Sequence, residues 1–302
     1  MRVGLGYLPD VQFAPFYAAA VEGYYAEEGL EVEFQHGFVT ELYPLLAQGQ
    51  LDFVVGDAED VIALRAADEA ATPFTYIMAM YQRVPSALFA LGEGELNLTD
   101  LAGKTVGMPG LFGSSYTSLQ AVLAAAGLSE ADIEIEEIGF TQLEAVLSGR
   151  VDMAMGFINN EPLLLQNQGQ DVAVLVAGDY SPSVGNGVIT TDELIAESPE
   201  LAARFVRASQ RGLALVLSDP ELAFAAAEVY VDTLSEDRLE ILLTSSQLYT
   251  SAATKAGGLG AFDPDSFAGT LSLLQASERV ETELEAEAFY SLEFIDSTIK
   301  TD

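Results

Sequence analysis

Residues Gly6 to Phe34 read GYLPDVQFAPFYAAAVEGYYAEEGLEVEF, and this stretch decides the fold class. Apolar Val3, Leu5 and Tyr7 alternate as in a strand, and Pro9 and Asp10 interrupt it. A helix then runs to about Gly23, after which Leu30, Val32 and Phe34 alternate again. The unit is strand, loop, helix and strand. It leaves a polar and aromatic loop at the carboxyl end of a sheet strand, where open α/β folds bind ligands.

The same unit recurs along the first 190 residues. Strands are predicted at Leu51 to Val55, Phe74 to Met80, Ser86 to Leu91, Gly103 to Met108, Ile133 to Ile138, Val151 to Met155 and Val172 to Val176. Helices are predicted at Val61 to Ala70, Ser114 to Ala126, Gln142 to Leu147 and from Glu161 onward. Beyond about Asp192 helical patterns dominate, with helices at Ala202 to Leu217, Glu221 to Tyr230 and Arg238 to Leu248. Strands alternating with helices imply mainly parallel sheets with helices on both faces. Gly92 to Asp100, rich in Gly and acid, suits a crossover into a second lobe, and Asn186 to Thr190 suits the return. The expected division is residues 1–90 with 186–302 as lobe I and residues 91–185 as lobe II.

Composition narrows the partners. Half of the 302 residues are apolar, enough for a large core. Twelve basic residues against 47 acidic ones give a net charge of −35, so the chain would approach phosphates against its own field and nucleic acid is not an expected partner. Solubility, or a salty or acidic exterior, accounts for such acidity without a specific cation site. There are no cysteines, hence no disulfide, thiolate metal site or Cys nucleophile. One His and scattered carboxylates form no metal-ligand spacing. No run of about 18 apolar residues is present to span a membrane, and no charged and apolar leader precedes the first strand.

The loops that follow the predicted strands share a chemistry. They carry Asp10, Gln12 and Phe13; Phe38 and Thr40; Asp57; Tyr81 and Gln82; Phe112, Ser114, Ser115 and Tyr116; and Phe157, Asn159, Asn160 and Glu161. Aromatic faces among amides, hydroxyls and a few carboxylates suit a planar polar heterocycle, which both stacks and exchanges directional hydrogen bonds. From Gly92 to Pro182 there are two basic residues against thirteen acidic ones, and Arg83 is the one cation near a candidate loop, so a neutral ligand is expected. Each loop also has a plain structural reading. Phe16 and Tyr17 fit core; Ser114, Ser115, Asn160 and Asp57 each stand where a helix cap would. Glu161 is expected to accept an N–H or hydroxyl of the ligand, and His36 is expected at a loop edge without a catalytic role.

Several stretches resemble the solute-binding proteins of ABC importers that collect thiamine-pyrimidine precursors and riboflavin: YLPDVQFAPFY, GYYAEEGLEVE, LAGKTVGMPGLFGSSY, IGFTQLEAVLSGRVDMAMGFINNEP and NGVITTDELIAESPELAARFVRASQRGL. GLFGSSY, GFTQ and NNEP are most similar to the riboflavin-binding branch. Pyrimidine-binding relatives usually carry a Trp beside the first loop, and this chain has no Trp. The resemblance implies a two-lobed type II periplasmic-binding-protein fold with two hinge crossings and no catalysis. It further implies riboflavin or a related heterocycle as transported ligand rather than cofactor, an ABC permease as partner, and a monomeric chain outside the cytoplasm, lipid-anchored or secreted from a longer precursor. The alternatives are a receptor for an aminopyrimidine and, on the same fold, a pyrimidine-synthesising enzyme, whose cysteine-rich segment, histidine and Schiff-base lysine have no equivalents in the candidate loops.

Overall fold

A computed structural model describes residues 1–67, 73–181, 183–232, 234–235 and 237–300. Its ten strands are β1 (Arg2–Leu5), β2 (Glu33–His36), β3 (Phe53–Gly56), β4 (Phe74–Ala79), β5 (Ser86–Leu91), β6 (Thr105–Met108), β7 (Glu134–Glu137), β8 (Met153–Phe157), β9 (Val172–Leu175) and β10 (Gly187–Thr191). They form two five-stranded sheets, ordered β2-β1-β3-β10-β4 and β7-β6-β8-β5-β9. In the first sheet β1 runs parallel to β2 and β3, while β10 is antiparallel to both neighbours. In the second, β6 is parallel to β7 and β8, while β5 is antiparallel to both of its neighbours. In each sheet the reversed strand is the one that arrives from the other sheet. A chain crossing directly between lobes enters without the helical crossover that a parallel neighbour requires.

One expectation fails here. Strand β5 belongs to the second sheet, so the first crossing lies between Ala79 and Ser86 and not at Gly92 to Asp100. The Gly-rich segment is a connection inside the second lobe: Gly92 donates its N–H to the Asp171 carbonyl, and Glu95 bridges Val174. The chain thus leaves the first sheet at Ala79, eleven residues before the expected boundary at residue 90, because a change of sheet needs no change of composition.

Strand β3 is buried along its whole length, as a central parallel strand covered on both faces must be. On one face Phe53 stacks on Phe205 of the helix Pro199–Ser218, their centroids 4.2 Å apart, beside the helix Ala14–Val21. Phe16 and Tyr17 are fully buried there, which settles them as core. On the other face Val54, Val61 and Ile62 pack with Phe267 and Leu271 of the helix Pro264–Ala276, an element the sequence reading did not separate. The helix Ala58–Ala67 begins three residues before its expected start at Val61; the expected end at Ala70 lies outside the described residues. Two smaller apolar clusters flank the second sheet, around Leu88, Val106 and Leu119 and around Phe89, Val146 and Leu165.

Candidate ligand-binding site

The carboxyl ends of the parallel strands in both sheets face one cavity. Its lobe I wall is Gly6, Tyr7, Gln12, Phe13, Phe38, Val39, Val55, Asp57, Met80 and Asn186; its lobe II wall is Pro109, Phe112, Ser115, Phe140, Gln142, Gly156, Phe157, Asn160 and Glu161. Its empty space, counting the mouth open to solvent, is about 750 Å3. Six rings contribute, and no Lys or Arg does. Phe38 stacks on Phe140 across the lobes at 4.2 Å, and Tyr7 meets Phe140 edge-on at 4.5 Å.

Nine of the residues singled out by sequence line this cavity: Gln12, Phe13, Phe38, Asp57, Phe112, Ser115, Phe157, Asn160 and Glu161. Seven do not. Asp10 caps the short turn Val11–Phe13, its Oδ1 accepting from the Gln12 N–H, while its Oδ2 is 2.6 Å from Arg238. Thr40 is exposed on the first turn of the helix Val39–Ala47. Tyr81 is fully buried and stacks on Tyr249. Gln82 accepts from the Ser251 hydroxyl at 2.7 Å. Ser114 is buried in the first turn of the helix Gly113–Ala126. Tyr116 donates to Glu130 at 2.6 Å, with the Arg279 guanidinium over its ring. Asn159 donates to Ser245 at 2.6 Å, turning its amide into the core. For Asp10, Tyr81, Gln82 and Asn159 a partner from a distant part of the chain claims the polar group, which no local pattern announces.

The cap readings also resolve. Asn160 holds the N-cap position of the helix Glu161–Asn167 but makes no side-chain cap bond; its Oδ1 accepts from Arg238 at 3.3 Å. Arg238 therefore joins Asp10 of lobe I to Asn160 of lobe II, and it replaces Arg83 as the cation nearest the site. Arg83 instead makes an exposed pair with Asp179. Asp57 accepts the Ser114 N–H at 3.2 Å, so it acts at the start of the lobe II helix Gly113–Ala126, whose own N-cap Phe112 has no side chain to offer. Gly113 makes this approach possible: it adopts φ +64°, and a Cβ there would lie 2.5 Å from the Asp57 Oδ2.

Glu161 is buried. Its Oε2 accepts the Phe157 N–H at 2.8 Å, and its Oε1 accepts the Tyr7 hydroxyl at 3.3 Å across the cleft. Gly156 leaves room for it, since a Cβ there would meet Oε2 at 2.7 Å. Burial pushes the Glu161 carboxyl up, and the Phe157 N–H pulls it back. Burial also pushes up Asp57 and its neighbours Glu59 and Asp60, the latter two to about 8, with the Asp57 charge adding to each of them. His36 bonds Tyr17 through Nε2 and the Tyr7 carbonyl through Nδ1, and burial holds it below the usual imidazole range. Among the described residues no cluster of three or more His, Asp or Glu side chains could hold a metal ion.

Sequence reasoning missed Tyr7, Phe140, Gln142 and Asn186 as wall residues. Tyr7 looked like a third alternating strand position, whereas β1 stops at Leu5. Phe140 and Gln142 follow β7 as the other loop residues follow their strands, so the rule that found those would have found these.

The described geometry can be set beside known proteins. Residues 10–223 match the family model described as NMT1/THI5 like. The chain belongs to the NMT1/THI5-like family. It is 36% identical over 301 residues to the riboflavin-binding protein RibY of Chloroflexus aurantiacus, covering 98% of this chain and 86% of that one. It is 27% identical over 304 residues to the formylaminopyrimidine-binding protein of Halalkalibacterium halodurans, covering 96% and 89%. Similarity at 26% over 226 residues extends to a 4-amino-5-hydroxymethyl-2-methylpyrimidine phosphate synthase of Legionella pneumophila, covering 73% and 70%. Among solved structures, the alkanesulfonate-binding protein SsuA of Xanthomonas axonopodis has a TM-score of 0.73 at 14% identity, with 97% of this chain and 98% of that one aligned. The family member described here thus has the two-lobed α/β fold of periplasmic binding proteins. No helix among its described residues is long and apolar enough to cross a membrane.

Proposed function

We propose that this chain is an extracytoplasmic solute receptor that binds riboflavin or a close flavin between its lobes and delivers it to an ABC permease without chemical change. The observation that carries the reading is the cavity itself: six aromatic rings from both lobes, amides and hydroxyls between them, and no cation in the wall. A fused, neutral ring system stacks on such faces, and Gln12, Ser115, Gln142 and Asn160 supply directional bonds to its heteroatoms. The 36% identity to a riboflavin-binding protein supports the same ligand class. The described residues of 1–79 and 187–300 form one moving body and residues 86–175 the other. Closure about the crossings at 80–85 and 176–186 traps the ligand, and the closed form is the one the permease takes.

Competition calorimetry tests the reading against its nearest rival. Riboflavin is expected to bind with a Kd of about 1 μM or tighter, near −8 kcal/mol, and an aminopyrimidine to displace it only weakly. Tight aminopyrimidine binding without riboflavin binding would assign the cleft to the thiamine-precursor class, and turnover of either ligand would make the protein an enzyme.

A further inference from the structure

We propose that Asn186, at the return crossing, determines ligand specificity by accepting a hydrogen bond from a ring N–H, and that Asp57 is the positioning residue that aims it. The inference rests on the flavin reading above and names the edge of the ligand that is read.

The backbone of Asn186 is fixed first. Its carbonyl accepts from the N–H groups of both Met80 and Tyr81, at 2.9 and 3.0 Å, tying the two crossings together. Its side chain lies on the cavity wall, where Nδ2 donates to the Asp57 Oδ1 at 2.8 Å. The other carboxylate oxygen, Oδ2, accepts the Ser114 N–H from the opposite lobe. A carboxylate occupied by donors on both oxygens dictates the amide orientation: NH2 toward Asp57, oxygen away from it. That oxygen is buried, and no donor among the described residues reaches it. A buried acceptor without a donor is costly, and Asn186 is a wall residue of the ligand cavity.

The ligand feature that fits is an N–H in the plane of a ring, flanked by carbonyls that nearby amides such as Gln12 and Gln142 can serve. A flavin has one such group, the imide N3–H of its pyrimidinedione ring. Specificity built on a buried polar pair is steep, because a ligand lacking the donor leaves the acceptor unpaired. The same Asp57 bridges both Asn186 and the start of the helix Gly113–Ala126, so the acceptor is fully aimed only when the lobes are closed.

The test compares riboflavin with N3-methylriboflavin on the unaltered protein, on Asn186→Ala and on Asn186→Ser, with fluorescence quenching as the readout. The unaltered protein is expected to bind the methylated compound at least thirtyfold more weakly than riboflavin. In Asn186→Ala, riboflavin should weaken about tenfold or more and the preference between the two compounds should shrink to about threefold or less; Asn186→Ser repeats the comparison should the alanine variant fold poorly. Equal binding of both compounds by the unaltered protein, or full preference retained in the variants, would overturn the role of Asn186 while leaving the flavin reading intact. No binding of riboflavin by the unaltered protein would remove both.

Discussion

The two lobes meet along two seams of opposite chemistry. One is aromatic: Phe38 on Phe140, with Tyr7 against the same ring and Phe112 edge-on to Phe38. The other is acidic, where half-buried Asp57 and buried Glu59 and Asp60 stand beside the start of the helix Gly113–Ala126. A flat ligand can share or replace contacts in the first, because stacking is tolerant of what supplies the ring. The second tolerates little, since each carboxylate held from water must be protonated or paired. On the proposed function, ligand capture falls to the first seam and sensitivity to charge to the second.

The largest effect should come from the acidic seam. Both Glu59 oxygens are buried with no partner within hydrogen-bond distance among the described residues, and Asp60 has the Tyr43 hydroxyl at 3.3 Å. Folded Glu59 and Asp60 keep their protons to about pH 8, whereas the unfolded chain releases them near about pH 4. The folded state therefore binds more protons between those limits, so the stability these groups contribute is full below about pH 4 and is lost as pH rises toward about 8. Denaturation midpoints should fall over that window by an amount worth a few kcal/mol, superimposed on the response of the acidic surface. Glu59→Gln should flatten the slope; an unchanged slope in that variant would show that Glu59 is ionised and paired in the folded protein.

The aromatic seam should show the opposite profile. Phe140→Ala is expected to weaken riboflavin by about 2 kcal/mol or more, the scale of a central aromatic anchor, with little change in the pH slope. A variant that binds normally would place the ligand away from the seam.

A smaller effect should follow from Asp57→Asn, since this carboxylate joins Asn186 to the start of the helix Gly113–Ala126. The amide keeps an acceptor for one of its two partners but loses the charge at the helix start, so closure should weaken by about 1 kcal/mol. Because Asp57 is half-buried and held between Asn186 and the Ser114 N–H, added salt should screen this loss only in part. Strong salt dependence of the difference between this variant and the parent would indicate that Asp57 is exposed in solution.

How much of this was legible in the sequence differs between the seams. Phe38, Phe112 and Phe157 stand directly after predicted strands, so the strand-loop-helix pattern delivered them to the cleft. Tyr7 was hidden because apolar alternation continued one step past the end of β1. Asp57 stood where it could cap its own helix, and nothing local shows that it reaches instead to Ser114 of the other lobe, 57 positions away. Arg238 is the extreme case: it arrives from 228 residues away to pair with Asp10, a contact set by the packing of the C-terminal helix Asp237–Ser246. The alternation of strands and helices gave the sheets, but the sheet to which β5 belongs depended on long-range pairing with β8 and β9.

The most direct test of a neutral-flavin cleft is a fluorescence titration of riboflavin and of its 5′-phosphate ester at low salt. The cavity wall holds the carboxyls of Asp57 and Glu161 and no cation, and the nearest guanidinium, Arg238, is engaged with Asp10. Riboflavin fluorescence should be quenched with a Kd of about 1 μM or tighter, and the phosphate ester should bind at least about tenfold more weakly, a difference of about 1.4 kcal/mol that narrows as salt rises. Absence of quenching by riboflavin, or equal or tighter binding of the phosphate ester, would contradict the account.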